Sequence, residues 1–164
     1  MNTLRALAFL AGASIAFVAS PAWSQLATGP LEYLTYKPPL IRAQVELSGQ
    51  FAAEAISVLQ NSVEVEELKR ARVLVQKSYE LLRYAAAGID GINRANTEVK
   101  AIPNPGLKIA GEWISSARWR NISAGMAIDN SVGWENAREE YVSKALDELA
   151  PVPELARRAS LLIR

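Results

Sequence analysis

The chain has 164 residues, in which 18 basic side chains are balanced by 17 acidic ones, and it contains neither histidine nor cysteine. The balanced charge argues against a nucleic-acid-binding protein, which needs a basic surface. Without histidine and cysteine the chain cannot form Ser-His-Asp or Cys-His catalytic groups, Glu-x-x-His di-iron sites, covalently attached haem, or zinc sites built on these residues.

The chain begins with the pattern of a cleavable secretion signal, over residues 1–24. A positive charge at Arg5 precedes a run of 15 apolar or small residues from Ala6 to Ser20. A membrane-spanning helix needs roughly 18 to 20 such residues, so a signal peptide is preferred over a membrane anchor.

Small residues at Ala22 and Ser24 mark the site that a signal peptidase recognises. We therefore expect cleavage after Ser24 and a mature amino terminus at Gln25. This predicts a periplasmic protein, with secretion into the medium as the alternative. No segment beyond the signal is apolar enough to predict a membrane span.

Residues 25–44 are predicted to form an irregular segment, because Gly29-Pro30 and Pro38-Pro39 disfavour helical backbone. The segment is too apolar for a free tail, and we expect it to lie across the surface of a domain formed by residues 45–164. Its apolar side chains are Leu31, Tyr33, Leu34, Tyr36, Leu40 and Ile41.

Helical spacing of apolar residues predicts a first helix from Val45 to about Leu59. Asn61 followed by Glu64 resembles a capping box, which predicts that a second helix begins there. We expect this second helix to run from Val63 to about Thr97.

A heptad seam on the second helix is the clearest pattern in the chain, and it is typical of a coiled-coil-like bundle helix. Its first set of positions is Leu68, Val75, Leu82 and Ile89, and its second set is Ala71, Ser78, Ala85 and Ile92. Gly88 and Gly91 leave open whether the helix is continuous.

A third helix is predicted to begin with Asn104 as its N-cap and Pro105 at its first position. It is expected to end near Ile128, where Asp129-Asn130-Ser131 would stop it and cap a fourth helix. The fourth helix is expected from Val132 to Leu149.

A short last helix is expected from Glu154 to Ile163, after a break at Pro151-Val152-Pro153. Together these segments predict an all-α fold. The architecture is an up-and-down bundle of about four main helices plus the short C-terminal helix.

Two enzymatic chemistries survive the missing histidine and cysteine. A carboxylate pair could cleave glycosidic bonds, but the acidic residues fall mostly where solvated helix faces or caps would place them. A serine and lysine could act together, yet Lys77-Ser78 and Ser143-Lys144 are neighbours in sequence and so point apart on a helix.

A calcium site is the one metal hypothesis that the sequence raises. Asp129, Ser131, Glu135 and Glu140 fall at positions 1, 3, 7 and 12 of an EF-type loop. Trp134 stands at position 6, where the loop needs glycine. We therefore predict no metal and no cofactor.

Three functional classes remain. The preferred one is a non-enzymatic interaction or scaffold protein of the cell envelope, which binds a partner protein or associates with itself. The second is a carrier that holds a small apolar ligand between helices, in a pocket lined by Tyr79, Trp113 and Trp134. The third and most remote is a hydrolase that uses carboxylates alone.

The third predicted helix supplies the candidate docking residues Trp119, Ile122, Met126, Arg118 and Arg120. At 100° per residue the first three fall opposite the core-facing side, and the two arginines flank the tryptophan. Tryptophan and arginine are the residues that most often carry interface energy. The alternative is that the helix is buried on both sides, or that residues 31–41 cover this stripe.

Overall fold

The computed structural model describes residues 37–164, which form α-helices and no β-strand within that range. The predicted all-α bundle is therefore confirmed for this part of the chain. The predicted signal peptide, its cleavage site and residues 25–36 of the predicted irregular segment lie outside the described residues.

Within residues 37–164, five α-helices and one short 3-10 turn make up the bundle. They are α1 (Pro38–Asn61), α2 (Val65–Glu98), α3 (Pro105–Gly133), a 3-10 turn (Glu135–Ala137), α4 (Arg138–Leu149) and α5 (Val152–Leu162). Short connections make α1, α2 and α3 antiparallel neighbours. Helix α4 packs on α3, and α5 packs on both α1 and α3. The bundle thus has four helical positions. Helices α1, α2 and α3 occupy one each, and α4 and α5 share the fourth.

The core consists of two apolar clusters that follow one another along the bundle. The first cluster joins α1, α2, α3 and α5, and its larger members are Ile41, Val45, Leu82, Ile89, Leu107, Ile114, Val152 and Ile163. The second cluster joins α1, α2, α3 and α4, and its larger members are Leu59, Leu68, Leu74, Val75, Ile128, Val142 and Leu149. Of the two helices that share the fourth position, α5 therefore contributes to the first cluster and α4 to the second.

The heptad seam predicted for α2 is confirmed, because every seam residue is buried except the half-buried Ile92. Leu74, Leu81 and Gly88 form a second buried row beside the seam. Helix α2 needs both rows because it packs against α1 on one side and α3 on the other. It also continues through Gly88 and Gly91 without a break.

The prediction that residues 38–44 are irregular is wrong, because α1 already begins at Pro38. Pro38 and Pro39 occupy the first turn, where backbone N–H groups have no partner within the helix and proline therefore costs nothing. Lys37 has extended backbone as the N-cap. Pro153 in the first turn of α5 has the same role.

The predicted capping box at Asn61 and Glu64 is not formed. Asn61 is the last residue of α1, where its side-chain amide donates to the backbone carbonyl of Ser57 at 2.7 Å. Glu64 is itself the N-cap of α2, without a side-chain capping bond. The cap predicted at Asn104 is confirmed, since its Oδ1 accepts from the N–H of Gly106 at 2.9 Å.

The boundary between α3 and α4 lies later than predicted. Helix α3 runs through residues 129–131 to Gly133, and α4 begins only at Arg138. Within α3 the Ser131 hydroxyl donates to the carbonyl of Ile128 at 2.7 Å, so it caps no following helix. Trp134 is the C-cap of α3 and is exposed, whereas the predicted boundary at Val132 placed it inside the fourth helix.

Candidate functional site

The inner face of α3 lies opposite Trp119, as its helical spacing predicts. Its small and branched residues Ala110, Ile114, Ala117, Asn121, Ala124 and Ile128 are all buried. Trp113 is half-buried and packs against the first cluster. The small side chains allow α3 to lie close to its neighbours. The opposite side of the helix faces outward.

Two of the three apolar residues predicted on the far side of α3 protrude from the surface. Trp119 is 67% exposed and Met126 is 56% exposed. They are seven residues apart, so they lie above one another on the same side of the helix. Ile122 is half-buried at the edge of this side. The alternative of a helix buried on both sides is therefore wrong for Trp119 and Met126.

The outward side of α3 carries no charged residue between Ser115 and Met126, and the exposed Glu112 lies one turn before this stretch. We call this surface the uncharged strip, formed by Ser115, Ser116, Trp119, Ile122, Ser123 and Met126. It spans about 17 Å along the helix at 1.5 Å per residue. The serines are small, so the tryptophan and the methionine are the features that stand out from it.

Arg118 does not belong to the uncharged strip but turns toward α2. Its guanidinium carbon lies 5.7 Å from the centre of the Tyr79 ring, a cation–π distance. Its Nε is buried and has no hydrogen-bond partner among residues 37–164. Arg118 therefore serves the contact between α2 and α3 and borders the strip on the α2 side.

Arg120 turns the other way, toward α4. Its Nη1 lies 3.3 Å from Oε2 of Glu148, and both side chains are partly exposed. This ion pair joins α3 to α4 beside the strip. The two arginines predicted to flank Trp119 thus do so, although each is engaged with a neighbouring helix.

A second ion pair borders the strip near its far end. The Nε of Arg72 on α2 lies 3.0 Å from both carboxylate oxygens of Asp129 on α3. The guanidinium of Arg72 crosses directly over Gly125, where an added Cβ would lie 3.2 Å from its Cζ. Glycine at position 125 therefore permits this crossing. The pair leaves no local signal in the sequence, because its two partners are far apart in the chain.

The three aromatic residues predicted to line a ligand pocket do not come together. Trp113 lies in the first third of α3, and Trp134 directly follows its last residue. At 1.5 Å per residue, the two are about 30 Å apart along the helix. Trp134 is 66% exposed, and Tyr79 is half-buried against Arg118 on the α2 side. These residues cannot line one pocket for a small ligand.

The residues of the EF-type pattern are engaged in helix contacts. Asp129 binds Arg72, and Ser131 is buried within α3. Across residues 37–164, no three acidic side chains cluster closely enough to hold a metal ion. The neighbours Lys77 and Ser78 likewise point apart, because Ser78 is buried while Lys77 lies over the ring of Phe51 at 5.4 Å.

Among the carboxylates of the described helices, one has a strongly perturbed pKa, and it lies on the surface of α5. Hydrogen bonds from Arg157 and then Arg158 lower the pKa of Glu154 from 4.5 to about 2. Its oxygens lie 2.7 Å from the Nε of each arginine. Glu154 is also in the first turn of α5, where negative charge is favoured by the helix dipole. This arrangement stabilises a helix and offers no general acid.

Comparison with known proteins adds no assignment to this geometry. In the described part of the chain, no helix has both the length and the apolar character needed to cross a bilayer. No protein-family model matches the sequence, and searches of the curated proteins and of the solved structures give no match either.

Proposed function

We propose that this is a non-enzymatic interaction protein of the cell envelope, which docks a helix of a partner protein along the uncharged strip of α3. The observation that carries the proposal is the outward position of Trp119 and Met126 in a strip without charge. Exposed apolar side chains that lie together on one side of a helix, rather than singly, mark candidate sites of protein interaction.

The surroundings of the strip resemble the anatomy of a protein interface. Interfaces have a centre depleted of charge and enriched in aromatic residues and methionine, bordered by a polar rim. Here the centre is Trp119 with Met126, and the rim includes the ion pairs Arg120–Glu148 and Arg72–Asp129. Because these charges are already paired within the chain, they fix the helices around the strip and leave recognition to its apolar centre.

A helix is the partner element that best fits the strip. Trp119 and Met126 repeat after seven residues, which is the spacing at which an antiparallel or parallel helix presents its own apolar side chains. The serines between them allow a partner backbone to approach closely. A second copy of this chain is the alternative occupant and is distinguished by the mass of the complex.

The test substitutes Trp119 and compares the effect with that of an equally exposed tryptophan elsewhere. We expect Trp119→Ala to leave the melting temperature nearly unchanged, because the side chain is mostly in solvent. It should weaken association by about 30-fold or more, the loss typical of an interface hot spot. Trp134→Ala is the matched control, since Trp134 is 66% exposed and lies beyond the end of α3.

Site-specific photo-crosslinking in the native cells identifies the occupant. A photoreactive residue at position 119 should give one discrete adduct that Met126→Asp abolishes, and one at position 134 should not. An adduct of twice the chain mass would show self-association. If position 119 gives no adduct and Trp119→Ala unfolds the protein, Trp119 is a structural residue and the proposed function is wrong.

Export through the amino-terminal segment is part of the same proposal. Cleavage after Ser24 would deliver the bundle to the periplasm with Gln25 as its first residue. Mass analysis of the protein recovered from the periplasm should give that amino terminus. Recovery of the full-length chain in the membrane fraction would contradict it.

A further inference from the structure

One end of the bundle carries a projecting tip that the proposed docking strip does not use. Helix α2 has 34 residues and its antiparallel neighbour α1 has 24, so the last turns of α2 extend past the beginning of α1. Residues 93–98 are exposed apart from the half-buried Asn96. The connection to α3, residues 99–104, forms the outermost part of this tip.

The tip exposes apolar side chains to solvent. Ile102 is 91% exposed and Val99 is 74% exposed, more than any other large apolar residue among those described. Ile109 and Leu161 are 42% and 50% exposed at the same end of the bundle, where the carboxyl end of α5 meets the start of α3. Pro103 and Pro105 restrict the backbone next to Ile102, so its exposed position is fixed by stiff flanking residues.

Lys100 holds the tip in a conformation that glycine would adopt more readily. Its φ of 52° is the only positive φ of a non-glycine residue among residues 37–164. The N–H of Lys100 donates to Thr97 at 3.1 Å, and the N–H of Ala101 donates to Asn96 at 2.8 Å. These are the two bonds of a Schellman motif, whose left-handed position normally carries glycine. A lysine there costs backbone energy, and such departures concentrate at functional positions.

Positive charge surrounds the exposed apolar residues. Between residues 94 and 108 the basic side chains are Arg94, Lys100 and Lys108, against the single acid Glu98. All four are exposed, and the ion pairs found among residues 37–164 include none of them. The tip therefore combines two protruding aliphatic side chains with a local excess of basic groups.

We propose that this tip docks the bundle onto an anionic lipid surface. Val99 and Ile102 would enter the headgroup region, while Arg94, Lys100 and Lys108 would contact lipid phosphates. Apolar side chains combined with flanking basic residues are what peripheral attachment to anionic membranes requires. A lipid surface fits better than a protein partner, because basic groups beside two protruding aliphatic side chains complement anionic headgroups, and such attachment does not need the roughly 800 Å² per partner that a stable protein interface buries.

The test measures sedimentation of the purified mature protein with lipid vesicles. We expect binding to vesicles of phosphatidylglycerol and phosphatidylethanolamine, weaker binding to phosphatidylcholine alone, and loss of binding as salt screens the basic groups. Ile102→Asp should lower the partition coefficient about ten-fold, the size expected when one exposed isoleucine no longer enters an apolar phase.

Two further variants serve as a control for the apolar contact and as a test of the charge. Val73→Asp is the matched control and should bind as the parent does, because Val73 is 54% exposed in the first third of α2, away from the tip. Lys100→Asn retains a residue that tolerates the left-handed turn and removes the charge, so it should weaken binding only to the anionic vesicles.

Three results would overturn the proposal. The parent protein could fail to bind anionic vesicles, or Ile102→Asp could bind them as well as Val73→Asp does. In the third, analytical ultracentrifugation without lipid would show an oligomer that Ile102→Asp dissociates, which would make the tip a contact between copies. Trp119→Ala leaves the tip intact and should bind vesicles normally. A failure of the lipid-binding proposal can therefore be distinguished from a failure of the proposed docking strip.

Discussion

A buried polar pair lies where the two apolar clusters meet. Asn121 on α3 donates its side-chain amide to the hydroxyl of Ser78 on α2 at 3.0 Å. Asn121 is 1% exposed and Ser78 is fully buried, and the Asn121 Oδ1 has no hydrogen-bond partner within residues 37–164. The bond fixes the register of α3 against α2, since a shift by one turn would leave both polar groups facing aliphatic side chains.

We expect Ser78→Ala to cost about 1–3 kcal/mol of unfolding free energy, because it leaves the Asn121 amide buried without a partner. The double variant Ser78→Ala with Asn121→Leu removes both polar groups and should recover most of that loss. Denaturant unfolding of the two single variants and the double variant measures the coupling. Additive effects would show that the pair contributes no interaction of its own.

The interaction of Glu154 with Arg157 and Arg158 predicts a pH dependence. Since the folded-state pKa is lowered from 4.5 to about 2, the ionised carboxylate stabilises the folded protein above pH 4.5. That contribution is lost as the pH falls from 4.5 toward 2, where the carboxylate becomes protonated in the folded state as well.

Glu154→Gln should therefore be less stable than the parent above pH 4.5, and the difference should disappear near pH 2. The effect is expected to be small, because all three side chains are largely in solvent. Thermal unfolding of both proteins across this range provides the comparison. An equal difference at every pH would contradict the assigned pKa.

At the scale of single helices, the heptad seam of α2 can be tested at its centre. Leu82 is fully buried in the first cluster, and Leu82→Ala should cost about 2–5 kcal/mol through lost burial and a residual cavity. Val73→Ala is the control on the same helix and should change stability by less than about 0.5 kcal/mol, because Val73 is 54% exposed. A neutral Leu82→Ala, measured by denaturant unfolding, would contradict the seam.

Helix patterns were predictable from the sequence where they depend on local periodicity. The α2 seam and the inner face of α3 follow from 3.6 residues per turn, and both are observed. Helix ends were harder to predict. Pro38-Pro39 and Asp129-Asn130-Ser131 were interpreted as breaks, yet the first opens a helix and the second continues one, because both roles are compatible with the same residues.

At the scale of the whole molecule, α5 is held against α1 by a close approach at Gly49. A Cβ added at Gly49 would lie 3.1 Å from the Cβ of Ala156 and 3.6 Å from the backbone of Pro153. A side chain at position 49 would require the first half of α5 to move away by a few tenths of an ångström. The position of α5, and with it the packing of the first cluster, depends on this contact.

Gly49→Leu should cost about 1–3 kcal/mol or more, because α5 must move away from α1 to admit the side chain. Gly111→Leu is the control, since an added Cβ there meets only Ile89, at 3.9 Å, and should cost less. Denaturant unfolding with both variants gives the comparison. Equal costs at the two positions would show that α5 tolerates displacement.

The sequence by itself determined the helical class, the seam of α2 and the two sides of α3, because these follow from the spacing of residues along one helix. Only the tertiary structure decided that Trp119 stays exposed, that Arg118 and Arg120 turn to different neighbours, and that Trp113 and Trp134 lie far apart. These properties depend on which helices come to lie beside α3. That choice is set by packing between residues distant in the chain, and helical periodicity carries no information about it.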